Sequence, residues 1–211
     1  MQKIGIGYEN YKEFIDQKLY YVDKTFLISD IVQKGGKVTL FTRPRRFGKT
    51  LALSMLRTFF ECELDRDGNA IDNSRYFEGK KIMEADQKIL DMMGQYPVIK
   101  LSLKSAKQPD YRTAVLRLRD EILSEFGRHE YLLKSGELET HSRELFASLY
   151  AFRHEEDIKT EDELNAEIGR YTTSIKVLSD CLKQHHKKNV IILLDEYDVP
   201  LENAYYSGFY D

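Results

Sequence analysis

The hydrophobic pattern of the 211-residue chain consists of short apolar runs separated by longer stretches with helical spacing. Three of the short runs predict β-strands, because they are rich in residues that favour extended backbone. They are 37–42 (KVTLFT), 97–103 (PVIKLSL) and 189–194 (NVIILL). The third run is continuously aliphatic, which is typical of a strand buried on both faces of a parallel sheet.

Longer stretches with apolar residues at helical spacing predict α-helices. They are 50–60, 109–126 and 160–188. Thr160 and Glu163 form a capping box at the start of the third, and the cationic residues 185–188 (HHKK) predict a solvated helix end. Strands separated by helices predict an α/β fold with a mostly parallel sheet flanked by helices. Residues 105–188 then form a helical insertion between the second and third strands.

Composition narrows the class of protein. A hydrophobic content of 42% supports one full-sized core, and a formal net charge of -3 gives no reason to expect general binding to nucleic acids or membrane surfaces. The two cysteines, Cys62 and Cys181, are isolated in the sequence and favour a reducing compartment. No signal peptide is visible, and no apolar run approaches the roughly 20 residues that span a bilayer. We therefore expect a cytoplasmic protein that does not enter the membrane.

The segment 43–50 (RPRRFGKT) lies between the first predicted strand and the first predicted helix. It matches the second half of the P-loop pattern G-x-x-x-x-G-K-[ST] (the Walker A motif), with Arg43 in place of the first glycine. Gly48 allows the backbone to approach a phosphate closely, and the helix that follows favours an anion at its amino end. Lys49 offers a charge to the β- and γ-phosphates, and Thr50 offers a hydroxyl ligand to Mg²⁺.

The predicted nucleotide-binding residues are those of the loop and the first helical turn. They are Arg45, Arg46, Phe47, Gly48, Lys49, Thr50 and Leu51. Arg43, Arg45 and Arg46 could each contact phosphate, face a neighbouring subunit or pair with an acidic side chain. The alternative for the whole segment is a basic turn that closes a βα unit without binding a nucleotide.

A second motif follows the third predicted strand, in residues 190–198 (VIILLDEYD). Aliphatic residues followed by Asp195 and Glu196 match the Walker B arrangement of P-loop ATPases that use a catalytic glutamate. Asp195 would support Mg²⁺, and Glu196 would orient the attacking water as a base. The alternative is an acidic strand end that faces solvent. Asp198 is a weaker candidate, which could instead only form the loop before Pro200.

Three segments together resemble a known family. Residues 43–51 (RPRRFGKTL), 21–25 (YVDKT) and 194–198 (LDEYD) resemble the hallmark segments of a bacterial AAA-ATPase-like family, over almost the whole chain from about Ile4. The resemblance implies an AAA-like P-loop core that binds ATP and Mg²⁺, and it accounts for Arg43 as the family's own replacement of the first glycine. Members often carry a PD-(D/E)XK nuclease-like domain at the carboxyl end, so such a domain is an expected partner, while contact with nucleic acid stays open.

The resemblance also predicts how segments of the chain are arranged. It places the VDKT segment near the nucleotide base or the P-loop, although Asp23 could equally cap the helix that follows it. Family members are longer, so we expect the sensor strand, any arginine finger and any nuclease domain in a longer protein. Within one P-loop domain over 1–211, we distinguish four parts: a lead-in at 1–36, the Walker A region at 37–104, the helical insertion at 105–188 and the Walker B region at 189–211.

Three functions are compatible with these motifs. The first is Mg²⁺-dependent ATP hydrolysis, catalysed through Lys49 and Glu196, that drives or gates an attached module. The second is a nucleotide-gated binding switch without efficient turnover. The third is a P-loop kinase for a small molecule, which the adjacent Asp195 and Glu196 disfavour because a water-activating glutamate promotes hydrolysis. The oligomeric state is open.

Overall fold

A computed structural model describes residues 3–42, 44, 47–65, 68–151 and 160–210. The chain divides into two compact units, residues 1–98 and 99–211. The fold is α/β and mostly helical, with a small parallel sheet of two strands in the described residues. None of the described helices has both the length and the apolarity needed to cross a membrane.

The first unit is built from helices and short 3₁₀ turns. Its elements are α1 (Tyr11–Asp16), α2 (Leu27–Lys34), α3 (Lys49–Phe60), the 3₁₀ turns Ser74–Tyr76 and Lys81–Glu84, and α4 (Gln87–Leu90). Its core is aromatic: Tyr11 of α1 stacks on Phe77 with ring centroids 5.5 Å apart, and Phe59 of α3 meets Phe77 edge-to-face at 5.3 Å. All three are fully buried, and burying each such side chain contributes about 1.5–3 kcal/mol.

Helix α3 is buried along only part of its length. Its carboxyl-terminal half carries the buried residues Met55, Leu56, Phe59 and Phe60, whereas residues 49–53 are half-exposed. The Ser54 hydroxyl accepts a hydrogen bond from the Tyr11 amide at 2.9 Å, which fixes α3 against α1. The hydrophobic effect therefore stabilises one end of the helix and leaves the motif-bearing end at the surface.

The second unit begins within a strand and contains the sheet. Its elements are β1 (Val98–Ser102), the 3₁₀ turn Leu103–Ala106, α5 (Tyr111–Arg128), the 3₁₀ turn Glu130–Lys134, α6 (Thr140–Ala151), α7 (Glu161–Tyr171), α8 (Ser174–His186), β2 (Ile191–Asp195) and α9 (Val199–Ser207). The core joins β1 to α5, α6 and α8 through fully buried Ile99, Phe126, Phe146 and Leu178.

The free edge of β1 is closed by side chains of α5. The amides of Lys100 and Ser102 donate to the carboxylates of Glu125 (2.9 Å) and Glu121 (3.0 Å), which lie one helical turn apart. Alternate amides of a strand point to the same side, so two glutamates at i and i+4 match their spacing. This arrangement satisfies the edge without a third strand and blocks strand addition there.

The structure confirms the predicted strands at 97–103 and 189–194 within two residues at each end, as β1 and β2. The strand predicted at 37–42 is wrong. These residues form no ladder with the described part of the chain, and Val38 and Leu40 are exposed. The segment has β-propensity, but it pairs with no strand among the described residues, and an extended segment without a partner is not stabilised.

Two further predictions need correction. β2 is not buried on both faces: Leu193 and Asp195 are buried, but Ile192 and Leu194 are about half exposed, because the second unit covers one face of its sheet. The helix predicted over 160–188 is two helices, α7 and α8. At the break the Thr172 amide and hydroxyl both donate to the Ile168 carbonyl (3.0 and 2.8 Å), and such an added hydroxyl bond bends a helix.

Candidate functional site

The phosphate-loop residues lie at the amino end of α3, in the first unit. Gly48 has φ +76°, a left-handed conformation that glycine adopts without steric cost, and α3 begins at Lys49. The first intrahelical bond joins the Ala52 amide to the Gly48 carbonyl at 2.9 Å. Thr50 and Leu51 occupy the first turn and are half-exposed. Gly48 thus forms the turn into α3, and Lys49, Thr50 and Leu51 form the first turn of the helix.

Of the other loop residues, the structure describes Pro44 and Phe47. The Phe47 amide donates to the Pro44 carbonyl at 3.4 Å, so it closes a turn within the loop, and the Phe47 ring is exposed. The predicted nucleotide-binding residues Arg45 and Arg46 lie outside the described residues, as does Arg43.

The described part of this loop fits a bound phosphate group. No acidic side chain occupies the first turn of α3, so the positive end of the helix dipole is not compensated there by a carboxylate. The left-handed glycine before the helix also leaves room for a close approach: among the described atoms outside Gly48 and its two chain neighbours, only the Lys24 ammonium lies within 4 Å of the point where a Gly48 Cβ would stand. Helix termini with these features bind phosphates through backbone amides.

Lys24 comes from the VDKT segment, whose position the sequence left open. Its Nζ donates to the Phe47 carbonyl oxygen at 3.4 Å. Asp23 does not cap α2, which begins at Leu27 without a side-chain cap. The VDKT segment instead contacts the phosphate loop, the position that the family resemblance implies.

Hydrogen bonds of the half-exposed Asp23 and the buried Thr25 hold the residues on either side of Lys24. One carboxylate oxygen of Asp23 accepts hydrogen bonds from the Thr25 amide (2.8 Å) and hydroxyl (2.7 Å), and the other accepts from the Lys81 amide (2.9 Å). The fully buried Thr25 hydroxyl accepts from the Ile82 amide at 3.1 Å. Burial opposes ionisation of Asp23, but these donors outweigh it and hold the pKa of the carboxyl below its ordinary value.

The acidic residues lie at the end of β2, in the second unit. Asp195 is the last residue of the strand and is buried, and its carboxylate accepts a hydrogen bond from the Glu196 amide at 3.1 Å. Glu196 has φ +53°, one of three left-handed non-glycine residues among those described. The chain then turns into α9, with Asp198 at the residue before the helix and Pro200 in its first turn. Asp198 makes no side-chain cap there.

Thr50 in the first unit and Asp195 in the second each carry an oxygen donor of the kind that Mg²⁺ binds. Among the described residues no group of three or more His, Cys, Asp or Glu side chains forms a metal cage. Mg²⁺ at nucleotide sites needs no such cage, because phosphates and water supply most of its oxygen ligands and the protein adds one or two.

Comparison with known proteins shows the family of the chain. A family model described as "Predicted AAA-ATPase" matches residues 5–210, which is nearly the whole chain. The chain belongs to this AAA-ATPase-like family. No curated protein and no solved structure matches it.

Membership of the AAA-ATPase-like family implies nucleotide binding, and it confirms the resemblance inferred from the three short segments. Sequence reasoning did not single out Lys24 as a residue of the phosphate loop's surroundings. The signal was present in the Asp-Lys-Thr segment, but only the fold shows that its lysine reaches a residue 23 positions further along the chain.

Proposed function

We propose that this AAA-ATPase-like chain binds Mg·ATP and hydrolyses it. The observation that carries the proposal is the start of α3, where a left-handed glycine, Lys49 and Thr50 open a helix that has no acid in its first turn. The family match over 5–210 and the Asp195–Glu196 pair at the end of β2 support it independently.

Each residue has a distinct role in the proposal. Lys49 binds the β- and γ-phosphates, alongside the amides of the first helical turn. Thr50 and Asp195 donate oxygen ligands to Mg²⁺, which when bound neutralises the charge that develops on the phosphates. Glu196 accepts a hydrogen bond from the attacking water and orients it towards the γ-phosphate. Hydrolysis then drives or gates an attached module, for which the family's nuclease-like domain is the candidate.

The test compares three variants of the protein by calorimetry with Mg·ATP and by phosphate release. We expect Lys49→Ala to weaken ATP binding at least tenfold, since it removes a charged phosphate ligand. Glu196→Gln should retain binding and lower turnover about a hundredfold or more, the usual contribution of a positioned base. Lys88→Ala removes an exposed lysine of α4 in the same unit and serves as the control, with both quantities unchanged.

The proposal fails if ATP binds neither the native chain nor the control, or if Lys49→Ala binds as tightly as both. Unchanged turnover in Glu196→Gln would remove Glu196 from the mechanism. Phosphate transfer to an added acceptor in place of water would identify a kinase.

A nucleotide-gated switch without efficient turnover is the second candidate, and the backbone of Glu196 favours it. A left-handed non-glycine residue stores about 1–3 kcal/mol of strain, and such residues cluster in segments that change conformation. Tight Mg·ATP binding with no phosphate release, in the native chain and in Glu196→Gln alike, would select this function.

A further inference from the structure

Lys24 makes an unusual contact with the phosphate loop. Its ammonium donates to a carbonyl, the Phe47 oxygen, at 3.4 Å, and it lies 3.9 Å from the point where a Gly48 Cβ would stand. The lysine therefore lies against the peptide group that links Phe47 to Gly48. No carboxylate is in contact with this ammonium in the described part of the chain.

The backbone beneath Lys24 is held on both sides. Asp23 and Thr25 together accept the amides of Lys81 and Ile82, and Thr25 also donates to Asp23 through its own amide and hydroxyl. Thr25 is fully buried and Asp23 is half-exposed, and their hydrogen bonds tie the backbone on both sides of Lys24 to the 81–82 turn. The Lys24 side chain itself is exposed.

The contact with the Phe47 oxygen determines which way the Gly48 N–H points. In a trans peptide group the C=O and the N–H point in opposite directions, and no cis peptide bond is present among the described residues. A donor on the Phe47 oxygen therefore turns the Gly48 N–H towards the other side of the loop. In a backbone nest that binds an anion, N–H groups face the anion and carbonyls face away, often with a left-handed residue such as Gly48.

We propose that Lys24 is a positioning residue of the nucleotide site, which orients the 47–48 peptide group so that the Gly48 N–H faces the phosphates. This proposal rests on the proposed function. Lys24 acts from the carbonyl side of the loop and does not itself bind the nucleotide. By holding the 47–48 peptide group in this orientation, Lys24 reduces the conformational entropy that is lost when a phosphate binds, which preorganises the site. The phosphate concerned is one that ATP and ADP share.

The first measurement needs no nucleotide. The ¹⁵N shift of an amide responds to hydrogen bonding at the carbonyl of its own peptide group, so the Gly48 resonance reports the Lys24 contact directly. We expect the resonance to move in Lys24→Met, which keeps the length of the side chain but cannot donate, and to return towards its native position in Lys24→Arg. Lys88→Met is the matched control and should leave it unchanged.

The second measurement is calorimetry with Mg·ATP and with Mg·ADP. Lys24→Met should weaken both by the same factor of about ten, the size expected for loss of one charge-assisted hydrogen bond. Lys24→Arg should recover most of the affinity, and Lys88→Met should retain all of it. We expect the four proteins to have equal melting temperatures, because Lys24 is exposed. Equal melting temperatures exclude a loss of fold as the cause of weaker binding.

Three outcomes overturn the proposal: a Gly48 resonance that stays in place in Lys24→Met, affinities that do not change, or a loss for ATP much larger than for ADP. The last result would show direct contact with the γ-phosphate. If the native chain binds neither nucleotide, the proposed function fails, while the Gly48 resonance still decides whether Lys24 orients the loop.

Discussion

At the residue scale, the most informative position is Glu196, where the strand ends. An L-residue in the left-handed region brings its Cβ close to backbone oxygen, which costs about 1–2 kcal/mol. Glu196 adopts φ +53°, and the next hydrogen bond of the turn runs from the Val199 amide to the Glu196 carbonyl at 3.1 Å. Its neighbour Asp195 is buried and keeps strand geometry, so the two acids differ in both backbone conformation and exposure.

Glu196→Gly shows separately how Glu196 affects the stability of the fold and how its side chain affects hydrolysis. Glycine adopts the left-handed conformation without cost, so we expect the free energy of unfolding to stay unchanged or to rise by up to about 1 kcal/mol. Turnover should fall as far as in Glu196→Gln. Urea denaturation and phosphate release measure the two effects.

Lys18→Gly is the matched control for this variant. Lys18 has φ 52° and follows α1, so it tests relief of the same backbone strain at a position without a proposed role in hydrolysis. We expect the same change in stability with turnover retained. A loss of more than about 1 kcal/mol in Glu196→Gly alone would mean that the Glu196 side chain stabilises the fold.

At the element scale, β1 and α5 show how one strand edge is closed. Glu125 is buried and accepts from the Lys100 amide, and it also binds Arg128 and His129 of its own helix end. Burial alone would raise the pKa of Glu125, but the hydrogen bonds and charges of His129 and Arg128 outweigh it and lower the pKa to about 2. Glu121 makes the same kind of contact with Ser102 from a half-exposed position.

Alanine variants of Glu125 and Glu121 measure how much the burial of Glu125 adds to the free energy of unfolding. Glu125→Ala leaves a buried amide and the Arg128 and His129 side chains without their shared acceptor, so we expect a loss of about 3 kcal/mol of unfolding free energy. Glu121→Ala removes an equivalent strand contact at a more solvated site and should cost about 1 kcal/mol. Guanidinium denaturation of both variants checks this. Equal losses would show that the strand contact alone, and not burial with its ionic partners, sets the energy.

At the scale of the whole molecule, two histidines make the stability of the fold sensitive to acid. His185 and His186, at the end of α8, are half-buried: Ser135 shares a hydrogen bond with His185 (2.7 Å), and Tyr131 shares one with His186 (2.8 Å). Burial, together with the neighbouring His185 and His129, lowers the pKa of His186 to about 4, and burial also lowers the pKa of His185 despite the nearby Glu137. The predicted solvated helix end is confirmed for Lys187 and Lys188, which are exposed, and is wrong for the two half-buried histidines.

The sign of the pH effect follows from the lowered pKa of His186. The unfolded chain binds the proton near pH 6.5 and the folded chain only near pH 4, so the stabilisation is present above 6.5 and is lost as the pH falls between these values. Between pH 6.5 and 4, we expect the free energy of unfolding of His186→Gln to fall by on the order of 1–2 kcal/mol less than that of the native protein, after allowance for partial exposure. Urea titrations of both proteins at pH 7, 5.5 and 4 measure it. Parallel pH profiles would contradict the assignment.

The sequence by itself determined the features that depend on near neighbours along the chain. The capping box at Thr160 and Glu163 is present as predicted, and α3 begins within one residue of its predicted start, because capping and helical periodicity involve residues three or four positions apart. The family assignment, made on three short segments, is likewise confirmed by the match over 5–210.

Only the tertiary structure decided the features that depend on distant partners. Residues 37–42 have the pattern of a strand, yet pairing requires a neighbour that the pattern cannot name. His186 is half-buried because Tyr131, 55 positions earlier, packs against it, and Lys24 meets the phosphate loop because Asp23 binds the turn at residue 81. Burial and hydrogen bonding between distant residues are properties of the folded chain, and they determine both the pKa of His186 and the residue proposed to orient the phosphate loop.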